Sequence, residues 1–218
     1  MTLKLNGSSS GYTAIDAPAA AGSNTLTLPA DNGSANEFLQ TNGSGTLDWA
    51  AAGKIKQVVS DSQLGKWSNN TAEGALWDVS GNFKCDITTT SNSSKVLVFM
   101  NLSLGFNGDN GGDVGVQLTR QDGGSGDYDL IAAANGDAAG NRIRCHTFAS
   151  FAKGGDWANG AATVIFLDTP GDADDYSYSV KLCHSYGSSN SIFLNRTGDD
   201  TDASWSQRGA CTAILAEI

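Results

Sequence analysis

The chain has 218 residues, 23 acidic against 13 basic for a formal net charge of −10, with 39% hydrophobic residues, 17% charged residues and 27 glycines. Its few, scattered cations exclude phosphate-backbone binding, which needs clustered Lys and Arg, so no nucleic-acid partner is expected. Gly loses backbone entropy in a helix, and Ser, Asn and Asp compete for backbone hydrogen bonds, so the composition disfavours helices and suits short strands joined by tight turns. At the start, MTLKLNGSSSGY (residues 1–12) has no apolar signal-peptide core, and no run reaches transmembrane length. The expectation is synthesis in a cytoplasm and no membrane insertion.

Residues 1–52 form the first expected unit. Three similar turn cassettes punctuate it: NGSSSG (6–11), DNGSAN (31–36) and TNGSGT (41–46). EFLQ before the last cassette and TLDW after it give a strand, an Asn-Gly turn and a second strand, which is a hairpin signal. Between the first two cassettes, AIDAPAAA (14–21) reads as an extended strip because Pro18 disfavours helix in the residue before it. A lone hairpin is marginal in water, and ordering costs about 1–2 kcal/mol per residue. This segment has too little apolar surface to offset that cost alone. Copies of the same chain would complete it, pooling Leu26, Leu28, Phe38, Leu39, Leu47 and Trp49 as a shared stem core.

From residue 53 the expectation is an antiparallel head domain of about ten strands, running to residue 218. The candidate strands are 55–60, 83–89, 95–105, 113–120, 128–133, 142–151, 162–167, 175–183, 190–196 and 210–218. Residues 175–183 alternate strictly, with Tyr176, Tyr178, Val180 and Leu182 on one face and Ser177, Ser179 and Lys181 on the other, as in a half-buried strand. Residues 95–105 put Val96, Val98 and Met100 on one face, but Leu97 and Phe99 make the opposite face apolar as well. One face would be covered by a second sheet and the other by a neighbouring subunit. Strands of this number and length fit a jelly-roll sandwich. The apolar run CTAILAEI reads as a central strand, and Ile214 joins the expected head core with Val96, Val98, Met100, Tyr176, Tyr178, Val180 and Leu182.

Residues 7–49 carry Gly11-Tyr12-Thr13, the run from Ala17 to Pro29 (APAAAGSNTLTLP), and the run from Gly33 to Trp49 (GSANEFLQTNGSGTLDW). This pattern resembles a short module in structural proteins of marine and cyanobacterial tailed phages. It departs at Asn42, where that family commonly has Asp. The later segments IKQVV (55–59), FLDTPGDADDYSYSVKLC (166–183), FLNRTGDD (193–200) and ACTAILAEI (210–218) are similar to trimeric jelly-roll heads of the tumour-necrosis-factor and complement-C1q type. The resemblance implies a homotrimeric virion protein, either a fibre or a capsid decoration, and three copies are the natural number to share the stem core.

Chemistry-bearing residues are few. His146 and His184 lie in no recognisable motif, and a Cys145–His146 dyad would be split across the two faces of a strand. Cys85, Cys145, Cys183 and Cys211 show no metal-site spacing and read as buried thiols. Asp/Gly loops can bind calcium, and Asp172, Asp174 and Asp175 are the candidates, without the twelve-residue loop spacing; no other cofactor is expected. Of the tryptophans expected in or beside polar loops (Trp67, Trp77, Trp157 and Trp205), Trp67, Trp157 and Trp205 are the candidates for stacking on a surface ligand such as a glycan. The expected function is therefore non-enzymatic. A trimeric tail or head fibre on the virion surface would anchor to capsid or tail proteins through residues 1–52 and display its head to host-surface glycan or protein. A capsid cement protein is the alternative, and a surface polysaccharide hydrolase the third reading.

Overall fold

The computed structural model describes all residues except 1, 52, 71, 109, 110, 153–157, 186, 188, 189 and 205, and all described side chains except that of residue 51. The described residues are all-β, with sixteen strands and no helix, hence none able to cross a membrane. The chain divides into two compact units, Met1–Lys54 and Ile55–Ile218, each taken by itself below.

The first unit contains two hairpins. Strands β1 (Leu3–Asn6) and β2 (Tyr12–Ile15) pair antiparallel, and the Gly7 N–H donates to the Gly11 carbonyl at 3.0 Å. Strands β3 (Glu37–Thr41) and β4 (Leu47–Ala51) are the EFLQ/TLDW hairpin. Its turn is tied by Asn42, whose N–H donates to the Thr46 carbonyl at 3.1 Å and whose Oδ1 accepts the Ser44 N–H at 2.8 Å. This is the local chemistry that favours Asn at turns. The Trp49 indole donates to the Asp31 carbonyl at 3.1 Å and lies over Gly33, where a Cβ would stand 2.6 Å from the ring. Despite this order, no described residue of the unit is buried.

The second unit is a sandwich. In chain order its strands are β5 (Gln57–Gln63), β6 (Trp67–Asn70), β7 (Trp77–Asp78), β8 (Lys84–Thr88), β9 (Val96–Phe106), β10 (Gly112–Asp122), β11 (Asp129–Leu130), β12 (Thr147–Phe151), β13 (Asn159–Asp168), β14 (Asp175–His184), β15 (Ser191–Leu194) and β16 (Cys211–Glu217). Eight of them nest as antiparallel pairs: β5 with β16, β8 with β14, β9 with β13, and β10 with β12. First thus pairs with last, second with seventh, third with sixth and fourth with fifth. Further pairing joins them into one sheet ordered β5-β16-β9-β13 and another ordered β8-β14-β10-β12, the wrapping of a jelly roll. Short β6, β7, β11 and β15 extend these sheets.

Inward-facing residues of both sheets build one core. Val96, Val98, Met100, Leu102 and Leu104 of β9 meet Val114, Val116 and Leu118 of β10 and Tyr176, Tyr178, Val180 and Leu182 of β14. Arg120 donates to Asp168 at 2.6 Å, as does the Tyr178 hydroxyl at 2.8 Å, so the buried carboxylate is paired as burial requires.

Three expectations are corrected and a fourth is narrowed. Ile214 is exposed: in β16 the inward phase belongs to Cys211, Ala213 and Leu215, and the apolar residues on both faces obscure that phase. Residues 142–146 are not strand; they close a loop excursion in which Arg144 donates to the Ala132, Asn135 and Gly136 carbonyls. Trp67 and Trp77 lie beside loops rather than in them, at the first positions of β6 and β7; Trp77 is a core residue and Trp67 packs on the core. Cys85, Cys183 and Cys211 are buried, but Cys145 is only partly so, because it lies in the excursion rather than in a strand.

Candidate assembly interface

The outer face of the β5-β16-β9-β13 sheet carries the concentration of exposed apolar side chains in the second unit. Strand register sets it out in rows. Leu167, Leu97, Ala216 and Val58 lie side by side across β13, β9, β16 and β5. The next row is Ile165, Phe99, Ile214 and Ser60, and the third is Thr163, Asn101, Thr212 and Ser62. Alternate residues of a strand share a face, so the three rows form one continuous surface about four strands, roughly 14 Å, wide. Phe99 at its centre is 38% exposed, and Ile165 and Val58 at its flanks 57% and 58%. The two apolar rows grade into the polar third row, where the Thr163 hydroxyl donates to Asn101 Oδ1 at 3.2 Å.

None of these twelve residues is charged, in a chain with a net charge of −10. A neutral apolar centre with a polar margin has the composition of an interface core, free of charges that would repel a like-charged partner. Ile214, displaced from the core, is thus a central member of this face.

Glu217 fixes the end of the strands that carry the face. Although fully buried, its carboxylate accepts from the Ser94 hydroxyl at 2.5 Å, the Thr90 hydroxyl and N–H at 2.6 and 2.8 Å, and Gln57 Nε2 at 2.7 Å. Lys56 Nζ stands 3.3 Å away. Burial alone would push the carboxyl up, but these hydrogen bonds outweigh it and hold its pKa down at about 2. Main-chain bonds between Lys95 and Ile218, in both directions at 3.2 and 2.9 Å, close the same corner.

The head-core candidates Val96, Val98, Met100, Tyr176, Tyr178, Val180 and Leu182 are all buried together. The stem candidates Leu26, Leu28, Phe38 and Leu39 are exposed, Leu28 to 69%, while Leu47 and Trp49 are half-buried. Register sets Leu39 opposite Trp49. Of the surface-ligand candidates, Trp67 packs against the head core beside Gly65, and Trp157 and Trp205 lie outside the described residues. Asp172, Asp174 and Asp175 do not converge. Asp172 gives its carbonyl to the Thr89 hydroxyl at 2.8 Å, Asp174 Oδ1 accepts the Asp175 N–H at 2.8 Å, and Asp175 Oδ1 accepts the Thr88 hydroxyl at 2.5 Å. Among the described residues no three potential ligands gather into a metal site.

Asn135 escaped sequence reading as a structural residue, whereas His146, which lies in no catalytic motif, is structural as a histidine of that kind is expected to be. Asn135 binds the Leu118 N–H at 3.0 Å and the Leu118 carbonyl at 2.9 Å, replacing a missing strand partner between β11 and β12. His146 Nδ1 donates to the Ala134 carbonyl at 2.6 Å, leaving Nε2 to accept the Ile165 N–H at 3.3 Å, so the imidazole joins the excursion to the edge of β13.

No protein-family model matches the chain, and no curated protein sequence does. Solved structures of infectious bursal disease virus do resemble it. The Gx strain structure aligns with TM-score 0.38 and 9% identity over 95% of this chain and 42% of its own; the Gt strain structure gives 0.38 and 10% over 98% and 45%. The crystal structure of the VP2 subviral particle aligns with TM-score 0.34 and 10% identity over 78% of this chain and 39% of its own. The chain thus spans about two-fifths of the length of the solved chains it resembles. At such scores and identities neither a family nor a role follows for it.

Proposed function

We propose that the chain is a non-enzymatic subunit of a homotrimeric virion surface protein. Its jelly-roll unit associates through the outer face of the β5-β16-β9-β13 sheet, and its first unit serves as a stem completed by sister chains. The observation that carries this reading is the neutral apolar face centred on Phe99, Ile165 and Ile214. The absence of any buried side chain among the described residues of the first unit supports it from the other end of the chain. The virion assignment rests on the resemblance of residues 7–49 to the phage structural module. Function would follow from display: three heads on one stem raise the effective concentration of weak contacts to a host surface, so avidity exceeds single-site affinity.

Immunogold labelling of intact particles with antibody against the jelly-roll unit tests the assignment. Label on the particle surface, with host-cell binding by the purified protein, is the expected result. Absence of label overturns the virion role. Label with no host binding, joined to loss of particle stability when the protein is missing, would make it a cement.

A further inference from the structure

On the outer face of the β8-β14-β10-β12 sheet, register sets Phe148, Gly115 and Cys183 side by side. The excursion that returns the chain to β12 brings Cys145 over the same place, and the two sulfurs lie 3.9 Å apart. Gly115 makes this possible, since a Cβ there would stand 2.6 Å from one sulfur and 2.9 Å from the other. The pair forms the floor of an open, mostly apolar cavity of about 460 Å³, walled by Ile143, Phe148, Arg142 and His184.

The two backbones do not suit a direct disulfide. Cys183 pairs with Gly115 on one flank of β10, and the His146 N–H donates to the Val116 carbonyl on the other flank at 2.7 Å. The intervening strand separates the cysteine backbones by roughly 9 Å, against about 4–7 Å between Cα atoms in disulfides. The remaining thiols, Cys85 and Cys211, are sealed in the core, and burial pushes each up to about 11.

We propose that the Cys145–Cys183 thiol pair is a modification site for small disulfides, with Cys145 as the nucleophile at the floor of the cavity. Cys145 is the more accessible of the two, and its sulfur shares a hydrogen bond with the Cys183 sulfur in which either thiol can donate. That contact holds the Cys145 thiol below its ordinary range and drives Cys183 well above its own. The Cys145 thiol loses its proton to solvent, and the thiolate attacks one sulfur of a disulfide R–S–S–R. The Cys145–S–S–R bond forms as the old S–S bond breaks, and the departing thiolate takes the electron pair and then a proton. The net change is one protein thiol and one disulfide converted to one mixed disulfide and one small thiol. Because Cys183 cannot reach across β10 to displace the adduct, the mixed disulfide persists.

Intact-mass and peptide mapping of the native full-length protein incubated with oxidised glutathione tests this. One glutathionyl adduct per chain, mapping to Cys145, is expected; Cys145→Ser removes it, and Cys183→Ser retains it. The proposal is overturned by an unmodified native protein whose denatured form reacts, by an adduct elsewhere, or by a Cys145–Cys183 disulfide without an adduct.

Discussion

At the scale of single residues, Glu217 shows how polar contacts can reverse the effect of burial. A carboxylate with no exposed surface is stable there because four hydrogen bonds from Ser94, Thr90 and Gln57 address its charged form. Its pKa is depressed from 4.5 to about 2, so its contribution to stability is fully present above pH 4.5 and disappears as pH falls toward 2. Denaturant unfolding of the whole protein should therefore show stability falling over that window. Glu217→Gln should cost about 2–3 kcal/mol at neutral pH and flatten the same part of the profile. None of this was legible locally. AEI at the end of an apolar run gives no sign of a buried carboxylate, and the partners of Glu217 all lie more than a hundred residues away in sequence. Ile214 fails for a related reason: with apolar residues on both faces of β16, the sequence carries no phase, and only the pairing with Phe99 assigns its side.

At the scale of elements, alternation was readable wherever one face of a strand is polar. β14 follows the Tyr176-to-Leu182 pattern, and the β3–β4 hairpin follows its Asn-Gly turn. Short β6 and β7 were missed because four and two residues cannot display a period, and their tryptophans sit in polar surroundings. The excursion before β12 was misread as strand because Ile143 and Cys145 alternate with Arg142 and Arg144, and Arg144 in fact binds loop carbonyls. β9 was read correctly as apolar on both faces, and the face it shares with β13 and β16 is where assembly should be breakable. Replacing Phe99 and Ile165 together by Asp puts two uncompensated charges into the centre of the apolar rows. Sedimentation should then show a monomer with an unchanged far-ultraviolet spectrum, since both side chains point away from the core. Retained self-association would show that this sheet face is not the contact.

At the scale of the whole molecule, the two units differ in how they meet the ordering cost. The second has a continuous core from two sheets, whereas the first arranges hairpins and turns with no buried side chain among its described residues. Residues 1–54 produced alone should accordingly give the spectrum of an unfolded chain, with poor amide dispersion in NMR. Assembly also concentrates charge: three chains carry a formal −30, three times the −10 of one. Screening should tighten association as salt rises from 0.01 to 0.15 M, where the Debye length falls from about 30 to 8 Å. The most direct test of the central claim is the mass of the full-length protein in solution by light scattering. Threefold sharing of the apolar sheet face and stem predicts about 67.5 kDa, three times the chain's 22.5 kDa; a stable particle of 22.5 kDa at micromolar concentration would contradict it.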